Sequence, residues 1–270
     1  MPTLHIIILA LVQGITEFLP ISSSGHLVLV PWVAGWEDQG LASDVAVHVG
    51  TLGAVCAYLY KDIGAMLGGL WRMLKGKGVN SSTRLAFYLV LATLPVIGAG
   101  FALNHYVPGG IRSIEVIGWT TLGFGVLLWV VDRFSITIRR MDHLGISDVF
   151  IIGVMQCLAL IPGTSRSGIT MTAGRILGME RPDCARFSML LSIPTIVGAG
   201  VLKGWDLYKA GDAVAIDAAL TGAGAAFVSA LIAISLMMAW LKRASFTPFV
   251  LYRIALGGFL LAVTYGYVSL

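Results

Sequence analysis

The chain has 270 residues, of which 57% are hydrophobic and 12% charged, and its mean hydropathy is +0.87, a balance that excludes an ordinary soluble domain. A net charge of +4 without interleaved basic and aromatic residues gives no reason to expect nucleic acid as a partner. Repeated apolar runs near the roughly 20 residues needed to cross a bilayer predict an all-α polytopic membrane protein, since the strands of a barrel would alternate.

The first run, residues 4–19, carries Gln13 and Glu17 and ends at Pro20, so it is short for a span and polar at its far end. No Lys or Arg precedes it and no small-residue cleavage site follows, so a cleaved signal peptide is not expected. Beyond the polar break at 21–26 comes a second short run, 27–33, and then an acidic segment with Glu37 and Asp38. Two short apolar arms around a glycine-containing polar tip predict a re-entrant helical hairpin. Such a broken backbone is tolerated at membrane depth only where it faces protein or a water-filled cavity.

Residues 44–60 make a first full span, followed by a basic stretch with Lys61, Arg72, Lys75, Lys77 and Arg84; 85–103 and 114–131 are the second and third spans. An arm at 146–161, a loop broken by Pro162, Gly163 and Gly168, and a second arm reaching residue 179 repeat the hairpin pattern. Spans four to six follow at 184–201, 214–241 and 249–268, giving six transmembrane helices and two re-entrant hairpins. Cys56, Cys157 and Cys184 lie in apolar segments without metal or disulfide spacing and read as packing residues.

Basic residues cluster at 61–84, 133–140, 175–186 and 242–253, on alternate connections, which puts those connections in the cytoplasm and both termini outside. The first hairpin then enters from outside and the second from inside, with their tips meeting near the midplane. An ungapped internal alignment pairs Gln13 with Gln156, Ser22 with Ser165, Ser24 with Ser167 and Gly25 with Gly168, and sets Ser23 opposite Arg166. Each half, 1–140 and 141–270 of a single membrane domain, holds one hairpin and three spans. An odd number of spans turns the second copy upside down, the inverted-topology architecture whose sites lie at the repeat interface.

Glu17 is an ionisable group inside a membrane segment, where it costs about 2.5 to 3.5 kcal/mol, and is therefore a candidate functional residue; the bland alternative is a carboxylate that only pairs with an arginine to hold two helices together. Gln13 lies four residues earlier, on the same helical face, and is equally well explained as a helix–helix hydrogen-bonding residue. Ser22, Ser23, Ser24 and His26 place hydroxyls and an imidazole within five residues, although a serine before an apolar run is also a normal N-cap. Arg166 offers a planar fork suited to phosphate oxygens, and Ser165, Ser167, Thr170 and the Gly163 backbone add neutral donors for an anion.

The segments QGITEFLPISSSGH at 13–26 and PGTSRSGIT at 162–170 resemble the two signature motifs of the bacterial undecaprenyl-pyrophosphate phosphatases of the bacitracin-resistance type. The likeness extends over nearly the whole chain, including SFTPFVLYR at 245–253. It implies removal of the terminal phosphate from undecaprenyl pyrophosphate at the bacterial inner membrane, which supplies the carrier lipid of cell-wall synthesis, usually with a divalent cation such as Mg2+ or Ca2+. The first motif accepts Glu or Gln at its leading position; with Gln13 there, Glu17 acts alone, as base or as metal ligand. Arg166 with Ser165, Ser167 and Thr170 is then expected to hold the phosphates. Ser23 is expected to attack, with His26 protonating the leaving phosphate or serving as the nucleophile itself. The acidic first connection favours a cleft facing outside, and a homodimer is compatible with such a bundle. The competing reading is a lipid-phosphate or anion transporter, which would want the same arginine and hydroxyls but would release no phosphate. A haloperoxidase-like lipid phosphatase would need a histidine downstream of Ser165–Arg166, and the following segment supplies none.

Overall fold

The computed structural model describes residues 3–36, 40–107, 113–210 and 213–268, with side chains outside 40–46, 199–210 and 213–219. Among the described residues the chain is all-helical. The helices are α1 (Thr3–Thr16), α2 (Ser23–Ala34), α3 (Gly40–Tyr58), α4 (Tyr60–Leu74), α5 (Ser81–Tyr106), α6 (Ile114–Phe134), α7 (Ile146–Gln156), α8 (Arg166–Ile176), α9 (Arg181–Ala210), α10 (Ala213–Leu241) and α11 (Thr247–Thr264). Helices α5, α6 and α11 and the 220–241 part of α10 are long and apolar enough to cross a bilayer, so the protein is a multi-pass membrane protein. The spans expected at 44–60 and 184–201 coincide with α3 and α9, whose side chains at 44–46 and 199–201 lie outside the described residues, as do Glu37 and Asp38 of the acidic connection and Arg112.

One expectation is corrected. The basic stretch after the first span is not a plain loop, because Ile63, Leu67, Leu70 and Leu74 recur at helical spacing and residues 60–74 form α4. Its charges had masked that period.

At the two polar breaks, α1 and α2 are joined by a turn at 17–22, and α7 and α8 by a one-turn 3-10 helix, Cys157–Leu160, and a turn. Helix α10 packs on α1 and α3, α11 on α6, and α7 on α5, while α8 is enclosed by α6, α7 and α9. All nine residues from Ser167 to Arg175 are buried, so the polar part of the second arm is enclosed by protein. Close approach depends on small residues: a Cβ on Gly14 would run into Ser229 and stand 2.6 Å from the Ala226 carbonyl, and one on Gly153 would stand 2.7 Å from that of Ala92. A buried ionic knot closes one end of the bundle. Asp132 on α6 accepts from Arg175 (3.0 Å) and Arg181 (2.8 Å) through Oδ1, and from the Phe246 N–H (3.3 Å) through Oδ2.

Candidate active site

The two hairpin tips are built alike. Ser22 and Ser165 are the non-glycine residues with positive φ among those described, at 74° and 71°. Each is the N-cap of the arm that follows, and each hydroxyl accepts the N–H of a glycine three residues on, Gly25 or Gly168. Left-handed backbone at a serine is costly and persists only when its surroundings impose it. The serine that caps is therefore Ser22, which leaves Ser23 free for other work. Ser23 and Arg166, paired by the internal alignment, are the first residues of their respective helices, so each stands at the positive end of an arm.

Glu17 joins the tips. Its Oε1 accepts from Arg166 at 2.8 Å, and its Oε2 accepts from the Ser23 hydroxyl at 2.7 Å and the Gln13 amide at 2.8 Å. His48 of α3 approaches the same Oε2 at 3.5 Å. The Glu17 side chain is 5% exposed, whereas Ser23 is half-buried and Ser24 exposed, so a ligand can reach the hydroxyl that the carboxylate holds. Gln13 is fully buried, and its Oε1 has no hydrogen-bond partner among the described residues. Such an orphaned acceptor is unusual beside a carboxylate. Arg166 is further fixed by the Ser188 carbonyl (3.2 Å) and by the Phe18 ring, 6.0 Å from its guanidinium carbon.

The remaining expected residues divide by what they touch. Ser167 donates to the Leu19 carbonyl (2.9 Å) on the other hairpin, Ser165 lies 3.1 Å from Ser167, and Thr170 is bonded to the Arg166 and Ser167 carbonyls and to the Ser188 hydroxyl. These three hydroxyls secure the tips in this state. The Gly163 carbonyl likewise accepts from Arg253, and the residue has φ 88° with Thr120 and the Ile117 carbonyl so close that no Cβ fits. His26 stands apart from the carboxylate: its Nδ1 is 2.6 Å from the Ser22 carbonyl, which can only accept, so that nitrogen carries the proton. In the neutral ring Nε2 then accepts from Tyr252, also at 2.6 Å.

Four residues without an expected role complete the cluster: His48, Ser188, Tyr252 and Arg253. Arg253 has 0% exposure, and its guanidinium donates to the carbonyls of Pro20 on the first tip, Gly163 and Thr164 on the second, and Thr120 and Thr121 on α6. An ionisable residue within an apolar span is the sequence signal that marks His48, Asp132 and Arg253. Their partners lie too far along the chain to be read from spacing.

A helical membrane bundle with two broken helix pairs joined through arginine, carboxylate and serine has the makings of a site for an anionic group presented at the bilayer. The chain belongs to the bacitracin resistance protein BacA family, whose pattern matches residues 6–259. It is 52% identical over 269 residues to Undecaprenyl-diphosphatase 1 of Rhodospirillum rubrum, covering 97% of this chain and 95% of that one. It is also 52% identical over 266 residues to Undecaprenyl-diphosphatase of Ruegeria pomeroyi, covering 98% and 100%. Undecaprenyl-diphosphatase of Alteromonas mediterranea shares 48% over 261 residues.

Proposed function

We infer that the chain is an undecaprenyl-diphosphatase, hydrolysing undecaprenyl pyrophosphate to undecaprenyl phosphate and inorganic phosphate and so recycling the carrier lipid of cell-wall synthesis. The observation that carries the chemistry is the Ser23 hydroxyl 2.7 Å from Glu17 Oε2, with the other carboxylate oxygen on Arg166. A nucleophile, its base and an oriented cation thus stand in one chain of contacts. A carrier would have no use for the first of these contacts.

In the proposed reaction Ser23 Oγ attacks the terminal phosphorus, its proton passes to Glu17, and the new Oγ–P bond forms as the bridging P–O bond breaks. The electron pair leaves on undecaprenyl phosphate. Water then attacks the phosphoserine, the Oγ–P bond breaks, and the proton held by Glu17 returns to Ser23. Arg166 stabilises charge on the phosphoryl oxygens throughout, by fork-shaped donation. Ser23 is favoured over His26 as nucleophile because both imidazole nitrogens are engaged, by Ser22 and by Tyr252. His26 then orients the first arm, and Ser165, Ser167 and Thr170 bear on the phosphates by fixing Arg166.

A divalent cation, Mg2+ or Ca2+, fits this donor set in company with substrate. Among the described residues no three His, Cys, Asp or Glu side chains converge, but hard cations of this kind are commonly held by one carboxylate, neutral oxygens and phosphate. Glu17 and the orphaned Gln13 Oε1 would supply the protein ligands. The cation, when bound, would offset charge on the pyrophosphate.

The inverted repeat with two re-entrant hairpins is part of the same proposal. It is supported by the twin serine caps and by exchanged packing, with α1 on α10 and α7 on α5. The charge distribution supports an inner-membrane orientation with both termini and the cleft outside. Purified chain in detergent should release inorganic phosphate from undecaprenyl pyrophosphate, and chelation should suppress release until Mg2+ or Ca2+ is restored. Failure to release phosphate under any cation condition would contradict the enzyme reading, and release indifferent to chelator would contradict the cation.

A further inference from the structure

The surface of helix α4 is divided three ways. Met66 and Gly69 are buried against the protein, and Asp62 is held by Arg186 of α9. A second face is apolar and uncovered: Tyr60, Leu67, Trp71 and Leu74 are 63%, 62%, 60% and 75% exposed, and they recur at the spacing of one helical stripe. Beside that stripe lie Lys61, Arg72, Lys75 and Lys77, all exposed, and Asp62 cannot neutralise them because Arg186 already occupies it. The ammonium groups fold back over the aromatic rings, Lys75 Nζ 4.7 Å from the Trp71 centroid and Lys61 Nζ 5.8 Å from that of Tyr60. With only 15 residues and charges at both ends, α4 cannot span a bilayer, yet it connects α3 to the membrane-crossing α5.

We propose that α4 lies in the bilayer interface and that its basic flank is a binding site for the headgroups of anionic phospholipids. Leu67 and Leu74 of the stripe enter the acyl boundary, the rings of Tyr60 and Trp71 sit at headgroup level, and Lys61, Arg72, Lys75 and Lys77 meet lipid phosphate. A surface helix with a broad apolar face and lysines along its edge binds membranes by both contributions, and each basic residue near an anionic surface adds attraction that salt weakens. The charge complementarity selects an anionic leaflet over a zwitterionic one.

The test uses the full chain reconstituted in phosphatidylcholine bilayers containing a trace of spin-labelled phosphatidylglycerol or spin-labelled phosphatidylcholine. The protein-associated fraction of each is read by electron paramagnetic resonance. The wild type should prefer the anionic label by about threefold or more at low salt, and the preference should shrink as salt is raised. The variant Lys61→Gln/Arg72→Gln/Lys75→Gln/Lys77→Gln should lose most of that preference. Lys75→Gln/Lys77→Gln, which leaves every residue of the helix itself intact, should lose part of it. Lys242→Gln/Arg243→Gln, elsewhere on the basic side, should keep it. A wild type without preference, or an equal loss in the α4 and the 242/243 variants, would overturn the proposal. So would a basic flank that bound inorganic phosphate but did not discriminate between the lipids.

Discussion

Glu17 receives four polar neighbours on two oxygens: Arg166 on one, and Ser23, Gln13 and His48 on the other. Glu17→Gln keeps the shape but neither takes the Ser23 proton nor balances Arg166, and phosphate release should fall about 10²- to 10⁴-fold in kcat, the usual worth of a positioned base. Arg166→Lys keeps the charge but loses the fork that spans Glu17 and Ser188; a fall of about 10²-fold in kcat is expected, and unchanged turnover would refute planar clamping. The residues that meet at the hairpin tips were legible in the sequence because ionisable and hydroxylic side chains are anomalous between apolar runs. Their division of labour was not. Whether Ser22 or Ser23 caps α2 depends on one φ angle, and whether Ser167 faces a ligand or the Leu19 carbonyl depends on how the hairpins dock.

At the scale of elements, the hairpins are held together from beneath by Arg253 on α11, whose acceptors are all main-chain carbonyls on three separate segments. Buried carbonyls left without a donor cost about 1 to 3 kcal/mol each, so Arg253→Met should lower the midpoint of thermal unfolding in detergent by about 5 °C or more. It should also slow phosphate release, because the tips that carry Ser23 and Arg166 lose their common anchor. An unchanged midpoint would mean that the carbonyls find other partners. The arms and spans could be read from the sequence because apolar length and a Pro- and Gly-broken tip are local properties. Helix α4 escaped because Lys61 and Arg72, with Lys75 and Lys77 just beyond it, read as a charged connection, while the stripe of Leu67, Trp71 and Leu74 asserts itself only once a period is imposed. Likewise Arg175, counted among the basic residues of a cytoplasmic connection, proves to be buried on Asp132. A residue's charge is plain in the sequence, but whether it faces water is decided by packing.

For the whole molecule, the repeat and the charge rule together make a statement about sidedness. Both termini should lie on the outer face, so a reporter enzyme that is active only outside the cytoplasm should be active when fused after residue 270. A reporter that folds only in the cytoplasm should be silent there. The opposite pattern would invert the bundle and place the cleft on the wrong leaflet for the proposed reaction. What unites sidedness, fold and chemistry is the claim that two hairpins from different halves of the chain make one catalytic pair, with Ser23 on the first attacking a phosphate held by Arg166 on the second. Its most direct test is a rapid-quench experiment with undecaprenyl pyrophosphate labelled in the terminal phosphate, followed by mapping of the labelled peptide. Transient label is expected on Ser23, and both label and turnover should be absent in Ser23→Ala. Label on His26 instead, or turnover retained by Ser23→Ala, would contradict it.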